Sequence, residues 1–113
     1  MRTVRPTETV DYDPERVVAV GVLTGSYSNV RMIRLSPGQA LPPHTHGESD
    51  VFLYAVEGEG ELDTPDGIVT FAAGDLAQYR GDEELRVTNN TDAGLTLFAF
   101  LAPVFPPKQP RTP

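Results

Sequence analysis

Seven short runs of branched and aromatic residues, each cut off by turn-forming residues, constrain this chain more than any other feature. The runs are Val17–Leu23, Asn29–Leu35, Val51–Val56, Ile68–Phe71, Leu76–Tyr79, Leu85–Thr88 and Leu95–Leu101. Between them lie Gly25-Ser26, Ser36-Pro37-Gly38, Thr64-Pro65-Asp66-Gly67, Ala73-Gly74-Asp75, Gly81-Asp82 and Asn89-Asn90. No segment repeats apolar residues at i, i+3, i+4 and i+7 over three turns, so an amphipathic helix has nowhere to form. Strands this short, separated this often, bury their apolar faces only by stacking two sheets or closing a barrel. The expected fold is therefore all-β and antiparallel. With 39% hydrophobic residues in 113, there is apolar material for one core and no room for a second.

The ends read differently from the middle. Residues 1–15 are polar and are expected to form an arm or edge strand, residues 16–103 the barrel, and residues 104–113 a proline-rich tail unable to donate to a sheet ladder. The tail is expected either to be disordered or to pack Val104 and Phe105 against the barrel or a second subunit. A homodimer is expected on that basis, with the N-terminal run supplying an edge and Val104-Phe105 an apolar strip. The formal charge of −7 argues against nucleic acid, which needs a basic face. No apolar run approaches the ~18 residues of a membrane helix, and no apolar stretch follows Met1–Pro6, so a cytoplasmic location is expected. Without cysteine there is no thiolate chemistry and no disulfide.

His44 and His46, the only histidines, stand as His-Thr-His behind Leu41-Pro42-Pro43. In extended chain, residues i and i+2 face the same way, so both imidazoles can converge on one point. Imidazole suits zinc, iron, nickel and copper. Three other features add less. Gly58-Glu59-Gly60-Glu61 reads as a hairpin turn, not a phosphate loop, because no helix follows it. Asp82-Glu83-Glu84 reads as a solvated acidic turn, and Tyr79 and Arg80 are placed to orient a small anion.

The spacing around the histidines resembles the first motif of the cupin family. Gly38, five residues, His44, Thr45 and His46 are followed by the apolar run Tyr54-Ala55-Val56 ending in Glu57-Gly58. Gly74-Asp75 resembles the opening of the family's second motif, and Asn89-Asn90-Thr91-Asp92 its closing turn. The likeness runs from about Met32 to Pro103 and implies a jelly-roll-like double-sheet barrel with the histidines facing inward.

The resemblance also implies a metal site completed by a glutamate and a third histidine, and here the chain departs from the family. The glutamate position, with six residues between it and Gly58, is Val51. The third-histidine position is Glu84 when counted forward from Gly81 and Leu85 when counted back from Asn89, and strand alternation favours Leu85. The candidate metal ligands are accordingly His44, His46 and Glu84, with Glu48 or Glu83 as substitutes, for a divalent transition metal such as Zn, Fe, Mn or Ni. The expected function is a small-molecule-binding barrel with a weak or degenerate metal site. The alternatives are a metal-dependent enzyme of the dioxygenase or isomerase type using His44, His46 and a carboxylate, and a sensing or structural barrel.

Overall fold

Alternation of buried and exposed residues along each run builds the two layers of the molecule. The computed structural model describes residues 1–107, so residues 108–113 of the tail expected over 104–113 lie outside the described residues. Among the described residues nine strands follow one four-residue helix, α1 (Pro6–Thr9): β1 (Val18–Thr24), β2 (Asn29–Leu35), β3 (Ala40–His44), β4 (Asp50–Glu57), β5 (Glu59–Thr64), β6 (Gly67–Ala72), β7 (Leu76–Tyr79), β8 (Leu85–Thr88) and β9 (Leu95–Ala102). They form a five-stranded sheet ordered β1-β2-β9-β4-β7 and a four-stranded sheet ordered β3-β8-β5-β6, with every pairing antiparallel. The all-β double-sheet fold expected from the sequence is the fold observed.

The core lies between the sheets. In β4 and β9 the pairs Val51–Leu101, Leu53–Ala99 and Ala55–Leu97 point inward, and all six side chains are buried. Leu62, Phe71, Leu85 and Val87 meet them from the smaller sheet. Such interdigitation of two inner faces is how a sheet pair excludes water. The outward residues of the large sheet are not uniformly polar. Phe52, Tyr54, Leu76 and Phe100 are exposed there, and Tyr54 pairs with Leu76 and Phe52 with Phe100 across the ladder.

Two strands escaped the sequence reading, for identifiable reasons. In β3, Pro42 and Pro43 interrupt the pairing with β8, which resumes at His44. A strand with two prolines survives because β3 is an edge. The stretch read as a hairpin turn at Glu59–Glu61 is instead the start of β5. Its Gly60 is buried, and a Cβ there would fall 2.6 Å from a methyl of Leu95 and 2.9 Å from the Thr88 carbonyl. Close packing, not a turn, demands that glycine.

The N-terminal arm is neither free nor a strand. It lies against the outer end of the large sheet, where Arg34, Thr96 and Glu57 stand side by side on β2, β9 and β4. Arg34 donates to the carbonyls of Val10 (2.9 Å) and Thr7 (3.3 Å) and to the Glu57 carboxylate (3.0 Å). The Tyr12 hydroxyl lies 2.8 Å from that carboxylate and 2.6 Å from Thr96 Oγ1, and the Arg34 guanidinium sits 4.5 Å over its ring. The Tyr12 and Thr96 hydroxyls and the Arg34 guanidinium hold the Glu57 carboxyl below its ordinary pKa. Among the described residues no helix is long and apolar enough to cross a membrane.

Candidate functional site

Strand β3 ends at His44, and the chain leaves the sheet through Thr45 into His46. The turn is fixed by backbone: the His46 N–H donates to the Gly81 carbonyl (2.8 Å), and the Ser49 N–H donates back to the His46 carbonyl (3.0 Å). This contact needs Gly81 to be glycine. A Cβ there would lie 2.1 Å from the Gly47 carbonyl oxygen and 2.8 Å from that of Ser49, inside any real contact distance.

The two imidazoles meet edge to face, with ring centroids 4.5 Å apart and planes at 61°. His44 Nδ1 lies 2.8 Å from the Pro42 carbonyl, so that nitrogen carries the proton and leaves Nε2 with its lone pair. His46 is only 4% exposed, and its Nδ1 has no hydrogen-bond partner among the described residues. Burial, reinforced by the nearby His44 and the Arg31 guanidinium, pushes its pKa down from 6.5 to about 4. His46 is therefore a neutral imidazole throughout the physiological range.

Both rings face a cavity of about 280 Å³. Its walls are Ile33, Leu41, Leu85, Ala99 and Leu101, with Ala19 and Arg31 on one side and Phe105 and Pro106 closing it. The tail thus returns to the barrel mouth. The Asn29 side chain clasps Phe105, donating to its carbonyl (2.6 Å) and accepting from its N–H (2.9 Å). Ser49 Oγ donates to the Pro103 carbonyl (2.6 Å), and the Phe105 ring stacks edge-on to His46 at 5.0 Å. Of the placements expected for the tail, Phe105 takes the one against the barrel, where it lines the cavity of its own chain.

The sequence-derived ligands separate. His44 and His46 come together as expected. Leu85 pairs directly across from His44 and is buried, so the position counted back from Asn89 is the one that faces the cavity. Val51 also points inward, into the core. Glu84 is exposed and ion-paired to Arg86, on the opposite side of β8 from the histidines. Glu83 pairs with Arg80 (3.1 Å), which also holds Asp82 (3.1 Å), and Glu48 is exposed. Tyr79, Arg80, Glu83 and Glu84 line a separate open cleft of about 790 Å³ together with Asp63, Asp66 and Arg86. Arg80 is thus committed to its acidic neighbours and is not turned to the histidine cavity. The Tyr79 hydroxyl is buried without a partner among the described residues, and burial together with Glu83 raises its pKa.

These residues do not make up a catalytic metal centre. Such a centre takes three protein ligands and an open position. Among the described residues no three His, Asp or Glu side chains are grouped to hold an ion, and the third position beside His44 is a leucine. What remains is an imidazole pair in an apolar setting.

Sequence reasoning missed Arg31 and did not fix the role of Phe105. Arg31 had a signal: it alternates with Ile33 and Leu35, whose inward direction was already implied by the run. Phe105 had none, because a proline-rich tail carries no period.

The family model for the cupin domain matches residues 31–101, more than half of the chain. Among solved structures, a protein from Thermus thermophilus is similar at 26% identity, covering 92% of this chain and 99% of its own, with a TM-score of 0.83. An RmlC-like cupin protein from Desulfovibrio desulfuricans is 24% identical over 93% of this chain and 99% of its own, with a TM-score of 0.81. A double-stranded β-helix domain protein from Klebsiella pneumoniae is 21% identical over 91% and 90%, with a TM-score of 0.82. No curated protein matches the sequence. The antiparallel strands in two sheets, the inward histidine pair and the family match over residues 31–101 together make this chain a member of the cupin family.

Proposed function

We propose that the chain is a small-molecule-binding cupin barrel whose histidine pair is the remainder of a metal site that no longer holds an ion tightly. One observation carries this reading: the cavity that His44 and His46 face is completed by Leu85, where a third donor would have to stand. A pocket of mostly apolar wall with a few convergent polar nitrogens suits a ligand that is gripped by burial and oriented by hydrogen bonds. An enzyme drawing on His44, His46 and a carboxylate gains no support, since Glu48, Glu83 and Glu84 all lie outside this cavity.

The same reading makes the chain a homodimer, with the exposed Phe52, Tyr54, Leu76 and Phe100 of the large sheet against a second copy. Monomers seldom leave a contiguous aromatic patch in water.

Metal analysis of protein purified without chelator, paired with melting curves across a set of small apolar compounds, tests the function. Substoichiometric metal is expected, with at least one compound raising the melting temperature. A bound ligand at 100 times its Kd adds about 2.7 kcal/mol of stability. One tightly held ion per chain would overturn the reading.

A further inference from the structure

Resting on the small-molecule reading, we infer that the cavity ligand is a small organic anion, an apolar ring or short chain ending in a carboxylate, with Arg31 as its counter-ion. The first support is sign. The chain carries 16 acidic residues against 9 basic ones, yet among the described residues no Asp or Glu lines this cavity, and the one charged side chain on its wall is a cation. A concave, low-dielectric site with a lone guanidinium attracts negative charge and repels positive charge.

The second support is that Arg31 is uncommitted. Arg16, Arg34, Arg80 and Arg86 each pair with a carboxylate. Arg31 forms no such pair among the described residues, and its one hydrogen bond is a long contact of 3.5 Å to the Ala19 carbonyl. A guanidinium without a carboxylate partner beside an apolar cavity is matched best by a carboxylate, which it can grip through paired, charge-assisted hydrogen bonds.

The third support is size. A cavity of about 150 Å³ holds benzene. At about 280 Å³ this one has room for such a ring and a carboxylate.

The probes are benzoate and hexanoate, each matched with its neutral amide, titrated by calorimetry into the full chain at low salt. The carboxylates are expected to bind about tenfold or more tightly than the amides, as charge-assisted bonding in a sheltered site implies. Arg31→Gln should bring carboxylate affinity down to that of the amide and leave the amide unchanged, while Arg31→Lys should restore part of the difference. Equal affinity for acid and amide in the wild-type chain would overturn the anion inference and leave the small-molecule reading standing. So would an acid preference that survives Arg31→Gln. Failure of all four probes to bind at millimolar concentration would overturn both.

Discussion

Two polar clusters at the ends of this barrel are buried to the same degree and are otherwise unlike. Arg34, 5% exposed, has two of its three nitrogens engaged by Val10, Thr7 and Glu57, with the Tyr12 ring beneath it. His46, 4% exposed, has a backbone N–H committed to Gly81 and a ring nitrogen committed to nothing. Buried polar groups are ordinarily paired, so the difference is informative. The first cluster holds the N-terminal arm to the sheet, with only Arg34 Nε left without a partner among the described residues. The second has no side-chain partner for the His46 Nδ1 at all among the described residues, in packing that is mostly apolar. Burial alone would have ranked them equal.

If the contrast holds, removing the bonded cluster costs stability and removing the unpaired imidazole does not. Arg34→Leu should destabilise the chain by about 2–4 kcal/mol, because it takes the donor from the Glu57 carboxylate and from two backbone carbonyls at once. That corresponds to a fall in melting temperature on the order of 10–20 °C. A loss of under about 1 kcal/mol in urea titration would show that the arm is merely laid on the surface.

The pH response sharpens the comparison from the other side. The folded chain holds the His46 pKa near 4, against 6.5 for the free side chain, so between those values the unfolded state binds the extra proton. Stability from this residue is present above about pH 6.5 and drains away as the pH falls toward 4. Glu57, with its pKa also depressed, adds a loss at the acid end. The diagnostic is therefore the difference between wild type and His46→Leu. The variant should be more stable by about 1 kcal/mol at pH 7, having lost an unpaired nitrogen, and should show the shallower acid slope. Matching slopes in the two proteins would put the titration elsewhere.

Supplying the missing donor should act on metal affinity and not on folding. Leu85→His places a third imidazole across from His44 and is expected to tighten zinc or nickel binding at least tenfold, about 1.4 kcal/mol, by calorimetry. Glu84→Ala should leave it unchanged, and His44→Ala should remove it. A drop on Glu84→Ala would mean that the forward count from Gly81 had found the ligand after all. The smallest effect on the barrel belongs to Phe100→Glu on the outer aromatic face. Light scattering should read twice the 12.3 kDa chain mass for wild type and the single mass for the variant. Folding stability should move by less than about 0.5 kcal/mol.

Much of this was legible in the residues alone. Three strands, Asn29–Leu35, Leu76–Tyr79 and Leu85–Thr88, begin and end where their apolar runs do. Alternation along Leu85-Arg86-Val87 already favoured Leu85 over Glu84 for the inward position, and β8 faces that way. Other features were hidden by the physics of pattern itself. Pro42-Pro43 disguises an edge strand, and Gly60 looks like a turn while serving a close contact. Arg31 and Arg34 are three residues apart in one strand, so they had to face opposite ways. The sequence thus required one inward-facing arginine in β2, and only the fold shows that Arg31 lines the cavity while Arg34 meets the N-terminal arm and Glu57.

Gly81 carries a consequence for how such a site could diverge. Its carbonyl holds the backbone of His46, and its missing side chain is what lets the two loops touch. Selection for a new ligand can rewrite Ile33, Leu41, Leu85 or Ala99 one at a time and leave that seam intact. A mutational survey restricted to residues lining the cavity would conclude that the pocket is permissive nearly everywhere. The unforgiving position would go unsampled, one loop away, in a residue with no side chain at all.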